Sequence, residues 1–438
     1  MAEKLVIIGL GSAGFACAFT LKKLRANFDI TIIDKKGFDL LHSCSMPACL
    51  EGKIGLECLK ENISLEKMGI SVVREKAISI DTKKKEVKTT KQTVPFDRLL
   101  ISVGAKPIVP PINGVKELLG KNVFLFHDDR DCHSFCESLG KAKKITVIGG
   151  GAIGVEVSYA LRKKNYEVTL IDMADRLLAN SLDKDISDNL VSLLESKGIK
   201  VLLSTKAEEI TEKEVVTDKG KILYDKLMMS AGVSPNTLLI KETGIEKTPN
   251  GILTNEFMET TIKGIYAAGD LAAVTNMVTK KECSANLASS AYQQGLVVAY
   301  RLASLNIPYK GALGTFVLSL ENYEFASTGL TETAATKAGF SVKSAKLRGK
   351  NLYGWHPKAQ ELAIKLVTDE KGKLLGAQAF GKDAFARIDV VSSAIYSGLS
   401  VSDLLGVELS YHPEIRQAHD LLHATAAMLV NRLGRQEK

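Results

Sequence analysis

Apolar and polar residues alternate along this chain in a pattern that repeats itself. Leu5-Val6-Ile7-Ile8 is a short, wholly apolar run that stops at glycine. A helical pattern follows from Phe15 to Leu24, and a second apolar run, Ile30-Thr31-Ile32-Ile33, ends at Asp34. The same order returns later: Ile145-Thr146-Val147-Ile148, a glycine-rich turn, a helical stretch, then Val168-Thr169-Leu170-Ile171 ending at Asp172. Short apolar runs bounded by glycine, alternating with helical periodicity, predict strand–helix–strand units. From about Gly314 the pattern changes. Strand-like stretches at Thr315–Ser319, Leu362–Val367 and Leu374–Phe380 precede helical ones at Ile388–Tyr396 and His419–Leu433, which predicts an α+β unit of another kind.

The turns between strand and helix carry chemistry. Gly9-x-Gly11-x-x-Gly14 and Gly149-x-Gly151-x-x-Gly154 each follow an apolar strand and open a helix. The first glycine permits the tight turn, the second lets pyrophosphate approach the backbone, and the third lets helix and strand pack closely. The helix N-terminus offers N–H groups and partial positive charge to phosphate. Asp34 and Asp172 stand where a ribose hydroxyl is accepted. Two complete dinucleotide sites in one chain imply an electron relay between two nucleotides. A carboxylate at Asp172 repels a 2′-phosphate and favours NADH; Arg176, four residues on, keeps NADPH as the alternative.

Composition narrows the field. The charge of +8 comes from scattered lysines, with one tight run at Lys83-Lys84-Lys85, so no basic patch interleaved with aromatics marks a nucleic-acid partner. No apolar run is long enough to span a membrane, and the start, Met1-Ala2-Glu3-Lys4, lacks a signal-peptide pattern. Seven cysteines in 438 residues argue against a disulfide framework and for a reducing, cytoplasmic setting. His127, Cys132, His133 and Cys136 crowd one segment, but nothing nearby completes a zinc set, and no metal is expected.

Four further motifs carry a resemblance: FDRLLISVGA (Phe96–Ala105), GGGAIGVE (Gly149–Glu156), AGVSPN (Ala231–Asn236) and IYAAGD (Ile265–Asp270). With these the chain resembles the FAD-dependent pyridine nucleotide–disulfide oxidoreductases. The resemblance implies an α/β fold of two Rossmann-like dinucleotide-binding domains, glutathione-reductase-like, with an α+β C-terminal dimerisation domain. It places the FAD-binding domain at 1–114 and 246–312, the NAD(P)H-binding domain at 115–245 and the dimerisation domain at 313–438. It puts Asp270 on the flavin's ribityl chain, Glu156 near the nicotinamide, and adds Ser12, Lys35, Ser43, Gly104 and Gly232 to the nucleotide contacts. The stretches Gly314–Phe340 and Ala386–Pro413 resemble the C-terminal domain shared by NADH oxidases, NADH peroxidases, coenzyme A-disulfide reductases and NAD(P)H polysulfide reductases. That subgroup uses one redox cysteine and forms homodimers in which the partner subunit contributes to the site.

Aligned on the subgroup's S-x-x-N-C-x-x-P pattern, Cys44 is the redox cysteine, with Pro47 and Gly52 in place and Leu40 and Ser43 departing. A helix start at Cys44 predicts a stabilised thiolate with a pKa below about 8.5. Cys49 leaves a dithiol reading open, although residues five apart on a regular helix have Cα atoms roughly 8 Å apart, beyond disulfide reach; two inert core thiols are the third reading. Ser12 stands where peroxidases of the group carry histidine, and Ala152 where relatives carry a tyrosine over the flavin. Lys23 and Arg74 stand at or near positions that hold coenzyme A phosphates. Tyr411 and His356 are the catalytic candidates from the partner subunit, although Trp355-His356-Pro357 and Tyr411-His412-Pro413 depart from the tyrosine-rich runs of coenzyme A-disulfide reductases. The implied reaction carries electrons from NADH through FAD and Cys44 to a small-molecule disulfide, persulfide or polysulfide, coenzyme A disulfide included. An NADH oxidase reducing oxygen through a Cys44 sulfenate is one rival, and a non-catalytic redox-sensing flavoprotein another.

Overall fold

The computed structural model describes residues 2–434; the outer domain bounds expected at 1 and 438 lie outside the described residues. The first sheet has five parallel strands in the order Ile265–Ala267, Arg98–Ile101, Glu3–Ile8, Phe28–Ile33 and Ile70–Val73. Its central strand is buried from Leu5 to Ile8, which is why that run reads as continuously apolar rather than alternating. Helix α1 (Ser12–Lys23) leaves its C-terminal edge. After the 3₁₀ turn Ser43–Ser45 comes α2 (Met46–Glu51), with Pro47 in its first turn and a left-handed Gly52 closing it.

The second sheet runs Val123–Phe124, Lys226–Met229, Lys144–Ile148, Glu167–Ile171 and Lys200–Leu202, all parallel; its last four strands repeat the order of the first sheet, while its outer strand comes first rather than last in the chain. Around it lie α3 (Asp129–Leu139), α4 (Ala152–Lys163) and α5 (Lys184–Ser196). Helix α3 opens with a capping box in which Asp128 and Asp131 satisfy each other's backbone N–H groups. The second sheet is inserted between strands of the first, and the two crossings, Ala105–Pro107 and Val233–Pro235, pair antiparallel with each other. The chain then returns to the first sheet at Ile265–Ala267, and α6 (Ala288–Leu302) lies along α1. Gly295 permits that contact, because a Cβ there would stand 2.2 Å from the Ala13 carbonyl oxygen.

The third unit is a five-stranded antiparallel sheet in the order Phe316–Leu320, Tyr323–Gly329, Leu374–Gly381, Glu361–Asp369 and Val342–Lys350. Helices α7 (Ala384–Ser397) and α8 (Leu421–Gly434) cover it. Two of its strands escape sequence patterning. Val342–Lys350 is an edge strand with four basic residues in nine, and Tyr323–Gly329 ends in small residues. An ionic cluster around the buried Lys365 and Asp183 binds this unit to the second: Lys365 contacts Asp183, Asp185 and Glu332 at 2.8–3.1 Å. Asp183 also accepts from Gln378 at 2.6 Å and from Thr333. These bonds hold the Asp183 carboxyl far below the ordinary range despite its burial, and the acids push the Lys365 ammonium up to about 12.

Helix α2 belongs to the second unit as much as to the first. Met46 and Leu50 are buried in a cluster that includes Phe135, Val155, Val157 and Phe325, and Glu51 pairs with Lys163 of α4 at 3.0 Å. The segment carrying Cys44 is thereby fastened to the second nucleotide unit.

Candidate active site

Both glycine loops have the geometry their sequence implies. Gly9 and Gly149 adopt φ of +98° and +111°, open to glycine and strained for other residues. A Cβ on Gly14 would lie 2.2 Å from the Gly9 carbonyl oxygen, and one on Gly154 only 1.8 Å from that of Gly149. Gly11 and Gly151, by contrast, face open space: a Cβ there would meet nothing within 4 Å. Both are N-caps of helices whose first N–H groups receive no side-chain cap. An open cradle over uncapped N–H groups is a pyrophosphate site, so two dinucleotides fit the residues present.

The acids and two unforeseen serines complete the repeat. Asp34 accepts from Leu10 N–H at 2.7 Å and from Lys36 N–H at 2.8 Å. Asp172 accepts from Gly150 N–H and, at 2.6 Å, from Ala174 N–H. Each carboxylate thus braces its own loop and keeps lone pairs for a ribose hydroxyl. Ser102 donates to the Ile8 and Gly9 carbonyls, and Ser230 to those of Ile148 and Gly149. The signal was in the sequence: Ser102-Val103-Gly104 and Ser230-Ala231-Gly232 are the same S-x-G at the end of equivalent strands. Gly104 and Gly232 both take positive φ where the chain crosses between units.

Several expected contacts are placed differently. Lys36, not the exposed Lys35, returns to the first loop, donating to the Leu10 carbonyl at 2.7 Å beside Asp34; its burial lowers the ammonium pKa. Arg74 is spent on the Lys36 and Phe38 carbonyls and on Asp39, holding the loop rather than facing a ligand. Lys23 lies over the Phe19 ring at 4.4 Å. Arg176 turns inward to the Leu182 and Ala179 carbonyls and to Asp175.

Cys44 sits in the 3₁₀ turn ahead of α2. The charged groups acting on it are Glu156 of α4 and Asp270, with Ser43 as a hydrogen-bond partner. Charges from both nucleotide units therefore act on one sulfur, while Ser12 opens α1 in the first unit. The expected depression of the thiol pKa is not found. Although Cys44 is an exposed residue, partial burial of its thiol, then Glu156, then Asp270 raise it, against smaller lowering effects from the Cys44 amide and Ser43. The physical reason is local: α2 begins only at Met46 and is six residues long, so its free N–H groups do not gather on Cys44. Burial also pushes Glu156 up to about 7 and raises Asp270.

Cys49 faces elsewhere. Its thiol is influenced by Cys136 and Cys58, and all seven cysteines are free. No group of three or more metal-ligating side chains occurs among the described residues, those around His127, Cys132, His133 and Cys136 included.

The candidates in the third unit form a surface cluster of their own. Trp355 stacks on Tyr353 at 5.8 Å, and the Tyr353 and Tyr411 hydroxyls interact. Trp355 is 73% and Tyr411 52% exposed. His356 is buried, its Nε2 3.0 Å from Glu414 and its Nδ1 accepting from Lys358 N–H at 3.1 Å. Both ring nitrogens are thus engaged, and His356 braces the 411–416 segment instead of presenting a free proton donor.

Two family models cover this architecture: the pyridine nucleotide-disulphide oxidoreductase model matches residues 3–295 and its dimerisation-domain model residues 318–422. An NADH oxidase of Methanocaldococcus jannaschii is 30% identical, covering 98% of this chain and 99% of its own. An NAD(P)H coenzyme A polysulfide/persulfide reductase of Pyrococcus horikoshii is 31% identical with the same coverage. Among solved structures, the NAD-dependent persulfide reductase of A. fulgidus has a TM-score of 0.94 at 27% identity, covering 99% of this chain and 84% of its own. The water-forming NADH oxidase of Lactobacillus brevis, bound to NADH, has a TM-score of 0.94 at 25% identity and full coverage of both chains. No helix among the described residues is long and apolar enough to cross a membrane. The chain belongs to the pyridine nucleotide-disulphide oxidoreductases: it is an FAD-dependent NAD(P)H oxidoreductase with a C-terminal dimerisation domain.

Proposed function

We propose that this enzyme is an NADH-dependent reductase of low-molecular-weight disulfides, persulfides or polysulfides, with Cys44 as its one redox-active thiol. The observation that carries this reading is the position of Cys44, held by α2 against the second unit with Glu156 and Asp270 as its charged neighbours. FAD supplies a two-electron relay between a nicotinamide and a thiol. Gly9, Gly11, Gly14, Asp34 and Asp270 would hold it, and Gly149, Gly151, Gly154 and Asp172 would hold the nicotinamide nucleotide. NADH is favoured because Asp172 keeps its carboxylate in the second site while Arg176 is committed to the Leu182 and Ala179 carbonyls.

The residues present divide the work. The Cys44 thiolate attacks a sulfur–sulfur bond and releases the other half as a thiolate or shorter polysulfide. Glu156, with its pKa near neutrality, is matched to take the thiol proton or to return one to the leaving sulfur. Cys49 takes no part, because its thiol faces Cys136 and Cys58. In the homodimer, the exposed Tyr411 and Trp355 belong at the partner subunit's Cys44, with His356 holding their segment. Arg74 and Lys23 engage neighbouring groups of the protein itself, which favours a small inorganic or aliphatic sulfur substrate over one anchored by its phosphates.

The oxidase reading is kept by a specific observation: the same architecture, over its full length, serves a protein named for water-forming NADH oxidation. Comparing NADH consumption under air with anaerobic turnover on polysulfide or coenzyme A disulfide separates the two. Faster anaerobic turnover on sulfur acceptors supports the reductase. Turnover that requires oxygen overturns it.

A further inference from the structure

Four of the seven cysteines lie on α2 and on two elements packed against it. Cys49 lies on α2; Cys58 lies on the 3₁₀ turn Leu56–Leu59; Cys132 and Cys136 lie one helical turn apart on α3. Helix α2 packs on α3 with Cα atoms within 8 Å, and on the turn carrying Cys58. The Lys60–Asp129 ion pair, 3.4 Å long, fixes the end of that turn to the start of α3. Cys132 is fully buried, Cys49 and Cys136 are half-buried against the same apolar cluster, and Cys58 is exposed. Two of the four thiols, Cys49 and Cys136, are therefore partly accessible.

The four thiols are not equivalent. Cys132, one turn back on α3, and Lys164, at the end of α4, both hold the Cys136 thiol below its ordinary pKa against its burial. Lys164 also lies beside Gly52 at the end of α2, which places its ammonium between the two helices. Cys49 is raised by burial and by the charge of Cys136, and less by Cys58. A thiolate-prone sulfur beside a protonated one is the arrangement of an attacking and a resolving thiol. Cys132 and Cys136 are a poor pair, since parallel Cβ vectors one turn apart on a helix do not suit disulfide geometry. Among the described residues no metal-ligating group of three forms here.

We propose that Cys49 and Cys136 form a second dithiol, independent of Cys44, that low-molecular-weight disulfides oxidise to an intramolecular disulfide bond. The Cys136 thiolate attacks one sulfur of the disulfide, forming a mixed disulfide and expelling one thiolate. Cys49 loses its proton and attacks the Cys136 sulfur, expelling the second thiolate. Two protein thiols are oxidised by two electrons, and one small disulfide is reduced to two thiols. The bond formed ties α2, two residues beyond Cys44, directly to α3 of the second unit.

The test uses the full-length Cys44→Ser holoprotein, so that the active-site sulfur contributes nothing. It is incubated with oxidised glutathione as the probe, denatured, alkylated with N-ethylmaleimide and mapped by mass spectrometry. Two fewer alkylated thiols than in the untreated protein, with a linked peptide pair joining Cys49 to Cys136 that dithiothreitol separates, supports the proposal. Full alkylation, or a bond joining any other pair, overturns it. Cys136→Ala in the same background leaves Cys49 alkylated; Cys49→Ala instead leaves a stable mixed disulfide on Cys136, so either variant that folds decides the roles.

Discussion

Gly151→Ala separates binding from folding at the second nucleotide site. In the protein a Cβ at Gly151 meets nothing within 4 Å, and φ of −74° suits any residue. The cost to folding is that of alanine at an N-cap, below about 1 kcal/mol, partly offset by a stiffer unfolded chain. Its methyl group, however, enters the space where pyrophosphate approaches the N–H groups of α4. Losing one charge-assisted hydrogen bond there costs about 1.5–3 kcal/mol, or roughly 10- to 150-fold in affinity. Steady-state kinetics on the purified variant should show the KM for NADH raised by that factor, with the FAD content and Tm of the parent. Gly154→Ala is the contrast. Its Cβ would lie 1.8 Å from the Gly149 carbonyl oxygen, so the backbone must shift, and Tm falls. An unchanged KM in Gly151→Ala, or loss of its flavin, refutes the assignment of this loop to the nicotinamide nucleotide.

Three other outcomes are expected. The folded Glu156 carboxyl has a pKa near 7 against an ordinary 4.5, so stability is lost as pH rises through that window. Glu156→Gln should therefore match the parent at low pH and be more stable by about 3 kcal/mol above pH 8, read from urea melts; removing that negative charge should also shift Cys44 alkylation by iodoacetamide to lower pH. Leu50→Ala, which empties a fully buried position under α2, should cost about 2–5 kcal/mol in a denaturant titration. Asp172→Ala combined with Met173→Arg, the latter at a 76% exposed position, should shift the ratio of kcat/KM for NADH and NADPH toward NADPH; an unmoved ratio contradicts the role given to Asp172.

The glycine loops, their strands and the two acids were legible because strand, glycines, helix and acid recur at the same spacing in both units. Asp34 braces residues 10 and 36, and its twin Asp172 braces 150 and 174. What escaped follows no such repeat. Lys36 reaches back 26 positions to Leu10, Arg74 reaches 35 to Asp39, and His356 is held by Glu414, 58 positions away. No periodicity reports such pairings, so Lys36 went unread beside Lys35, while Arg74 and His356, read as a ligand contact and a catalytic residue, are committed to the protein itself. The Cys44 thiol shows the same limit. The sequence placed a proline and a helix start beside it, which argue for a thiolate, but neither the burial of the thiol nor the carboxyls of Glu156 and Asp270 that fold in around it and raise its pKa with it.

The central claim is that Cys44 is the single sulfur through which electrons leave the flavin. Anaerobic turnover of Cys44→Ser with NADH and a polysulfide acceptor tests it directly, alongside the bleaching of its flavin absorbance by NADH alone. Retained flavin and normal bleaching with abolished acceptor turnover is the predicted result. Turnover equal to the parent contradicts it.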